Sequence, residues 1–460
     1  MVHDLVVSGG TVVTSAGARP ADIAVTGGRI VAVEPPGGVS AAAVVIDATG
    51  HHILPGIIDT HVHTRHPGVP EREDFLSGTA AAAAGGITTL FEMPISKLPV
   101  NSGQSLARRA ELLQPTAHID YALYGGAGHE NVADIAGQAA AGAIAFKTFL
   151  QPPPPTRLDE FFGLWCTDEV RLREVMRQVK ATGLRHCFHC EHTATFEAFE
   201  RQLQAEGRTT GRAHAESRPP GVEDLSVAIV LALAEDLGAR VQVVHCSSPR
   251  AARMARDARW RGVDATVETC PPYLFFTDEA LDRLGPFAKC NPPLRGEREV
   301  RGLRQCLREG LIEVVGTDHS PFLAEDKAKG NENIFLAPPG LAGLEVLVPL
   351  MLTAAHHGWI PLEAVAALCA ENAARLFGLP GKGRLQAGAD ADLTIVDLAT
   401  TWRYDSAAAL TKSRANMRIY DGVELHGRVV STLVRGEVVF KDGVVTGAPG
   451  HGQFVRPVKA

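Results

Sequence analysis

The chain has 460 residues, of which 45% are hydrophobic and 21% are charged, and its formal net charge is −7. This composition is typical of a globular chain long enough for one large barrel and a smaller appended unit. The acidic balance and the lack of a clustered basic stripe exclude the usual electrostatic footprint of nucleic-acid binding. We therefore expect a small-molecule partner and no nucleic acid.

Neither a targeting signal nor a membrane span is predicted. The first residues, MVHDLVVSGG, lack a basic start followed by an apolar core. No apolar run approaches the roughly 18 residues that a membrane span needs. We expect a cytoplasmic protein with no membrane contact.

The cysteines are scattered and lie mostly in apolar runs, which predicts reduced, buried thiols rather than a disulfide framework. Cys187 and Cys190 have the spacing of a redox or zinc pair, but the chain has no second CxxC to complete four ligands. The eight residues are Cys166, Cys187, Cys190, Cys246, Cys270, Cys290, Cys306 and Cys369.

Both chain ends are predicted to be β-rich. Short strand-like runs separated by glycines occupy the start of the chain, and the same texture returns near its end, where Arg435-Gly436-Glu437 predicts a hairpin turn. Two such ends around a different middle predict one composite β-sandwich. The predicted units are residues 1–52 plus 384–445 for the sandwich, 53–383 for the middle, and 446–460 for a C-terminal tail.

The middle of the chain alternates buried strand-like runs with amphipathic helical stretches, which predicts repeated βα units. Helices are predicted most strongly at 168–182, 222–237 and 249–261. Eight strands are the number that closes a TIM-type (β/α)8 barrel, so the predicted fold class is α/β. The eight runs are 53–59, 88–93, 119–125, 143–149, 185–191, 240–245, 264–269 and 312–318.

Metal-competent side chains follow these runs at their carboxyl ends. His61 and His63 close the first run, and because strand side chains alternate, both point to one side and could hold one ion. An HxH pair alone is weak, since such histidines are also found as ordinary polar residues at strand ends. The other runs end near Lys147, His189, His245 and Asp318.

Packing gives histidines no reason to choose one end of a barrel, whereas TIM barrels keep their active sites at this end. A lysine flanked by Phe146 and Phe149 in a buried strand is also costly unless something neutralises or pairs it. The sequence therefore predicts a metal site at the barrel mouth.

Taken in order, these residues resemble the cyclic-amidohydrolase branch of the amidohydrolase superfamily, which contains hydantoinases, dihydropyrimidinases, allantoinases and dihydroorotases. The likeness spans essentially the whole chain. It implies two divalent metal ions, usually zinc, bridged by a carbamate that carbon dioxide forms on Lys147. His61, His63 and Asp318 would hold the more buried ion, and His189 and His245 the more exposed one. Members are commonly oligomers, so the resemblance implies a homodimer or homotetramer.

The resemblance also implies a mechanism for opening a cyclic amide. Two metals acidify the attacking water and polarise the amide carbonyl. Asp318 is the expected catalytic residue, accepting the proton of the nucleophile and passing it to the departing ring nitrogen. Asp59 is expected to be a supporting carboxylate rather than a ligand.

The loops resemble more than one member of the branch. Glu92-Met-Pro94, the Glu268-Thr-Cys270-Pro segment and the GAPGHGQFV ending are similar to allantoinases. Allantoin opening to allantoate is therefore the first expectation. Dihydroorotase-like and hydantoinase-like or dihydropyrimidinase-like ring opening are the alternatives. Pro152 stands where hydantoinases and dihydropyrimidinases carry a tyrosine, which argues against them.

Arg65 and Asn291 are the candidate substrate-binding residues, because both resemble positions in dihydroorotases, where the arginine helps to bind a carboxylate. Ile95 and Phe322 depart from that group, which has asparagine and histidine there. Arg65 could instead form an ion pair in its own loop. The acids available for that pair are Glu71, Glu73 and Asp74.

Two other classes are less consistent with the residues. A structural homologue that has lost its metal ligands is disfavoured because all six expected positions are filled. A mononuclear deaminase on the same barrel would not need Lys147. Segments 151–166 and 321–341, rich in proline and glycine, are predicted to cover the barrel mouth.

Overall fold

The computed structural model describes residues 2–39 and 42–458. Its strands are β1 His3–Thr14, β2 Gly17–Thr26, β3 Arg29–Glu34, β4 Ala42–Asp47, β5 His52–Pro55, β6 Ile57–Val62, β7 Ile87–Glu92, β8 Asp120–Leu123, β9 Gly125–Gly126, β10 Phe146–Phe149, β11 His186–His189, β12 Val241–Val243, β13 Ala265–Thr269, β14 Val314–Val315, β15 Leu393–Arg403, β16 Glu424–Val434, β17 Glu437–Lys441 and β18 Val444–Val445.

The α-helices lie mainly between the strands of the middle segment. They are α1 Phe75–Ala84, α2 Gly103–Leu113, α3 Ile135–Ala141, α4 Glu169–Ala181, α5 Thr193–Ala205, α6 Gly211–Ser217, α7 Pro220–Leu237, α8 Pro249–Trp260, α9 Pro271–Phe275, α10 Glu279–Leu284, α11 Glu297–Arg308, α12 Ala324–Ala328, α13 Leu347–His356, α14 Leu362–Ala366 and α15 Asn372–Leu376. A π-helical turn, Ala367–Glu371, joins the last two.

Helix α4 shows why the predicted helices form. Asp168 caps its amino end by accepting a hydrogen bond from the Arg171 amide. Leu172, Val175, Met176 and Val179 are buried, and their spacing places them along one helical face. Helices α7 and α8 likewise fall within a residue or two of their predicted bounds.

The parallel barrel predicted from the middle of the chain is present. Strands β6–β8 form one part of its wall and β9–β14 the other. Tyr124 alone separates β8 from β9, so these two form one of the eight strands of the barrel. A parallel bridge between Val62 and His319 closes the wall between β6 and β14. Every barrel strand therefore ends on the same face, which gathers the residues that follow the strands.

The predicted run 53–59 divides between two sheets. Strand β5 pairs with β1 and β15 in the sheet of the chain ends, whereas β6 pairs with β7 in the barrel. Gly56 separates them, and a Cβ there would lie 2.3 Å from Thr88 Oγ1 and 2.5 Å from Asp392 Cβ. A residue without a side chain is needed where the two sheets meet this closely.

The composite sheet joins the two chain ends in the order β18-β17-β16-β15-β5-β1-β2-β3, with β4 pairing beside β1. Arg435 and Gly436 form the predicted turn between β16 and β17, with φ values of 48° and 79°. A separate hydrophobic cluster contains residues of both ends, including Val7, Ile23 and Leu393. The bounds predicted for the separate units stay a prediction, and residues 459 and 460 of the predicted tail lie outside the described residues.

All eight cysteines are buried free thiols, as predicted. Among residues 2–39 and 42–458, no helix combines the length and apolar character needed to cross a membrane.

Candidate active site

Three predicted ligands meet at the carboxyl ends of the first and last barrel strands. His61 lies in β6, His63 follows that strand directly, and Asp318 follows β14. Asp318 Oδ1 lies 3.3 Å from His61 Nε2 and 3.4 Å from His63 Nε2. Ligand atoms of these three residues all lie within 4.8 Å of one another, close enough to hold a single metal ion.

A second pair of histidines adjoins this group. His189 ends β11 and His245 follows β12, and His189 Nδ1 lies 3.0 Å from His245 Nε2. The His245 ring centre is 5.2 Å from that of His61. The predicted histidines therefore form one continuous cluster of buried ring nitrogens across the barrel mouth.

Lys147 enters the same region from β10. Its side chain is fully buried, and Nζ has no hydrogen-bond partner within the described residues. The ring centre of Phe149 lies 5.0 Å from this amine. Burial lowers the pKa of Lys147 and favours the neutral amine.

Glu268, at the end of β13, orients His61. Its Oε1 accepts a hydrogen bond from His61 Nδ1 at 2.7 Å, while Oε2 accepts one from Thr60 Oγ1 at 2.6 Å. This bond leaves the unpartnered His61 Nε2 directed at Asp318. A carboxylate that fixes the tautomer and orientation of a ligating histidine is typical of metal sites.

Glu191 orients His189 in the same way. His189 Nε2 donates to Glu191 Oε2 at 2.8 Å, which leaves Nδ1 facing His245. Burial alone raises the pKa of Glu191, but Arg218 and the hydrogen bond from His189 outweigh it and lower that pKa to about 2. Glu191 is therefore a stable anion beside His189.

Asp59 is the supporting carboxylate that the sequence predicts. It accepts hydrogen bonds from Thr317 Oγ1 at 2.6 Å and from the amides of Thr317 and His61. Burial raises its pKa to about 6. Asp59 thus links the two strand ends that carry His61 and Asp318.

The backbone of the site is strained at three residues. Arg65, His245 and Asp318 have φ values of 58°, 38° and 49°, a region that side-chain-bearing residues seldom adopt. Such conformations persist where surrounding contacts fix them, and they cluster at functional sites. In Asp318 the strain accompanies burial, which raises the pKa of its carboxyl.

The residues fit divalent metal ions. His61 Nε2, His245 Nδ1 and Lys147 Nζ are buried nitrogens without partners, and each would be costly if nothing bound it. Imidazole nitrogens with a carboxylate oxygen are the donor set that zinc and similar ions prefer.

Arg65 lies beside this cluster and is held by a different set of contacts from those predicted. Its Nη2 donates to Ser320 Oγ at 2.7 Å, and its guanidinium lies 4.4 Å from the ring centre of Phe322. No ion pair joins Arg65 to the predicted acids in the described part of the chain, where Glu73 contacts Ser77 and Thr411 and Asp74 pairs with Lys412. The predicted ion pair of Arg65 with Glu71, Glu73 or Asp74 is therefore wrong.

Both candidate substrate-binding residues present unpartnered polar atoms. Arg65 Nε and Nη1 and Asn291 Oδ1 are buried without hydrogen-bond partners among the described residues. Buried polar atoms of this kind are costly unless a ligand or water satisfies them. Both residues therefore have free hydrogen-bonding capacity.

A parallel eight-stranded barrel with clustered histidines and an aspartate at its strand ends defines the class: a barrel protein built to hold metal at its mouth. The chain belongs to the amidohydrolase family, whose model matches residues 52–439.

Several known proteins resemble the chain over nearly its full length. It is 39% identical to an allantoinase of Rubrobacter xylanophilus, covering 99% of this chain and 98% of that one. It is 33% identical to an L-hydantoinase of Paenarthrobacter aurescens, covering 99% and 98%. The solved L-hydantoinase (dihydropyrimidinase) from Arthrobacter aurescens superposes with a TM-score of 0.94 at 32% identity, covering 99% and 100%.

Proposed function

We propose that the protein opens the ring of allantoin to form allantoate, using two divalent metal ions. The observation that carries this proposal is the buried cluster at the strand ends, in a chain 39% identical to an allantoinase over nearly its whole length. The EMPISKLP, ETCP and GAPGHGQFV segments support the same substrate.

His61, His63 and Asp318 would hold one ion, and His189 and His245 the other. Lys147 would bind carbon dioxide through its neutral amine, and the resulting carbamate would supply anionic oxygen ligands to the metal site. We propose zinc because the donors are imidazoles and carboxylates. When bound, such ions acidify a water molecule and polarise the carbonyl of the ring.

Ring opening adds water across an amide bond. The oxygen joins the carbonyl carbon, the bond from carbon to ring nitrogen breaks, and that nitrogen gains a proton. Asp318 moves this proton: its carboxylate accepts it from the attacking water and delivers it to the departing nitrogen. Asp318 suits this role because its side chain keeps 19% exposure at the mouth while lying beside His61 and His63.

A substrate that bears an acidic group is the second candidate, and Arg65 favours it. Two of its nitrogens are buried and unpartnered close to Asp318. A carboxylate on the ring, as in dihydroorotate, would accept a hydrogen bond from one of these two nitrogens. Hydantoin is a further alternative, supported by the likeness to the two hydantoinases.

The deciding experiment measures initial rates of hydrolysis of allantoin, dihydroorotate, hydantoin and dihydrouracil by zinc-loaded protein, with a chelator-treated sample as control. The proposal expects chelator-sensitive turnover that is fastest with allantoin. Fastest turnover of dihydroorotate would make Arg65 a carboxylate anchor, and fastest turnover of hydantoin or dihydrouracil would support the hydantoinase alternative. Fully metal-loaded protein that hydrolyses none of the four would contradict the proposed substrates.

The carbamate is tested separately from the substrate. Metal-free protein is reloaded with zinc in ¹³C-bicarbonate, and a carbamate carbon signal is expected in its NMR spectrum. The same signal should be missing from Lys147→Met. We also propose a homodimer or homotetramer, which light scattering would report as two or four times the 48.9 kDa chain mass.

A further inference from the structure

Segment 321–341, which we call the mouth loop, begins beside Asp318 and returns to the same place. Its ends are joined by a hydrogen bond of 2.8 Å from the Ser320 amide to the Leu341 carbonyl. Near its start, Phe322 is 1% exposed, and its ring lies against the guanidinium of Arg65. The position of the mouth loop therefore affects the substrate side of the site.

Two buried lysines tie the mouth loop to the segment that carries Asn291. Lys289 Nζ donates to the carbonyls of Ile334 and Ala337, at 2.8 and 2.7 Å. Lys327 Nζ donates to the carbonyls of Lys289 and Pro338, at 2.9 and 3.2 Å. The Lys289 side chain thus reaches from the Asn291 segment into the mouth loop, and the Lys327 side chain binds one carbonyl in each of the two segments.

The backbone completes this connection. The Gly340 amide donates to the Lys289 carbonyl at 2.9 Å, so that carbonyl accepts from both Gly340 and Lys327. Lys289 and Lys327 are 5% and 0% exposed. Loosening either lysine would therefore weaken the contact between the mouth loop and the segment that carries Asn291.

The surroundings of both lysines are unusual for cations, because every hydrogen bond of either amine within the described residues goes to a backbone carbonyl. The charged or titratable groups that face Lys289 are Arg218, Glu200, Glu191 and His214, and those that face Lys327 are Cys290, Lys289 and Arg65. Burial lowers the pKa of each lysine to about 7. A neutral amine keeps two N–H donors, enough for the two carbonyls that each one binds.

We propose that Lys289 and Lys327 are positioning residues that lock the mouth loop onto the Asn291 segment and thereby set the substrate-binding side of the site. They act through Phe322 and Asn291 rather than by touching the reacting atoms. The lock itself stands on the hydrogen bonds, whereas its effect on turnover rests on the proposed function.

Hydrogen–deuterium exchange of the zinc-loaded protein tests the lock directly. Lys327→Met keeps the apolar stem but removes both hydrogen bonds, so amides of 321–341 should exchange at least about tenfold faster. Lys327→Gln retains donors and should restore part of the protection. Lys329→Met is the matched control: this lysine lies in the same loop, is 62% exposed and pairs with Asp326 at the surface, so loop exchange should not change.

The pH dependence of loop exchange gives a second readout. A lysine released into water has a pKa near 10.4, so between about pH 7 and pH 10 the open loop binds more protons than the closed loop. The equilibrium constant for loop opening should therefore fall as pH rises through this range, by up to about tenfold per pH unit for each lysine. Below pH 7 this constant should not change with pH. Lys327→Met should lose its share of this slope after correction for intrinsic exchange.

Kinetics give the third readout. Because the loop supports binding of the whole substrate rather than the reacting bond, Lys327→Met should raise KM about tenfold and change kcat less than about twofold. Unchanged loop exchange in both Lys289→Met and Lys327→Met overturns the lock, and so does faster exchange spread evenly over α4, α7 and α8. A wild-type protein that hydrolyses no ring substrate refutes the proposed function but leaves the exchange test decisive for the lock.

Discussion

His61 is held by a residue far along the chain. Glu268 lies 207 positions later and reaches His61 Nδ1 across the barrel. The strand-end pattern predicted His61 itself, because a histidine after a buried strand is a local signal. The role of Glu268 had no local signal, since its partner is decided only by how β6 and β13 meet in the closed barrel. The same is true of Glu191 and its contact with Arg218.

Glu268→Gln should weaken the metal site without unfolding the protein. The amide keeps the size of the carboxylate but cannot accept all the hydrogen bonds that Glu268 accepts from Thr60, Gln242 and His61. We expect metal affinity to fall about 10- to 100-fold. Metal content after dialysis against competing chelators measures this, with exposed Glu309→Gln as control. Unchanged affinity would remove Glu268 from the metal site.

Lys147→Ala should abolish turnover and lower metal content. The substitution removes the buried amine that we propose to carry the carbamate, and without that anion the histidines and Asp318 leave the charge of two cations under-compensated. Metal analysis and initial rates are measured on the same preparation. Full activity in Lys147→Ala would contradict the two-metal mechanism.

The first barrel strand shows what the hydrophobicity of a segment does not indicate. The segment HILPGIID is almost uninterrupted in its apolar character, so the sequence predicts one strand where there are two. Hydrophobicity reports burial, and both β5 and β6 are buried, but it does not report which sheet a strand joins. Each of the other seven predicted runs contains a barrel strand, because helices separate the runs from one another, and the run 119–125 contains both β8 and β9.

Strand β7 and helix α2 are joined by a buried ion pair that shapes the Arg65 loop. Arg109 on α2 donates to Glu92 at 2.8 Å, and both side chains are fully buried. Glu92 also accepts hydrogen bonds from the amides of Thr64 and Arg65. The pair therefore anchors the turn that follows the metal-binding strand.

Arg109→Met should destabilise the protein by about 3–5 kcal/mol, because it leaves the Glu92 carboxylate buried without its cation. Burial already raises the pKa of Glu92, so the uncompensated charge would be lost by protonation or by local opening. Thermal unfolding measures the effect. Arg108→Met, on the exposed side of the same helix, should shift Tm little, and an equal shift in both variants would contradict the argument.

At the scale of the whole molecule, one buried lysine connects the barrel with the composite sheet. Lys382 Nζ lies 2.5 Å from Asp120 at the start of β8, 2.8 Å from Asp392 before β15 and 3.1 Å from Asp390. The tail joins the same group, since the Gln453 amide donates to Asp120. The eight-strand count predicted the barrel and the repeated texture predicted the sheet, but neither indicated this connection.

Lys382→Met should cost about 3–5 kcal/mol, because three carboxylates would remain near one another with Arg435 as the main compensating cation. The unfolding midpoint in denaturant measures the loss. Exposed Lys441→Met, in β17 of the same sheet, is the control. A midpoint equal to that of wild type would show that the carboxylates find other compensation.

Strand β5 also has a consequence for how the protein is made. Its partner on one side, β1, is synthesised just before it, but its partner on the other side, β15, leaves the ribosome some 340 residues later. The barrel strands are all synthesised before β15, whereas β5 has no partner on that side until β15 has been made. A chain that stopped before β15 would leave the backbone N–H and C=O groups of β5 unpaired on that side and open to pairing with another chain.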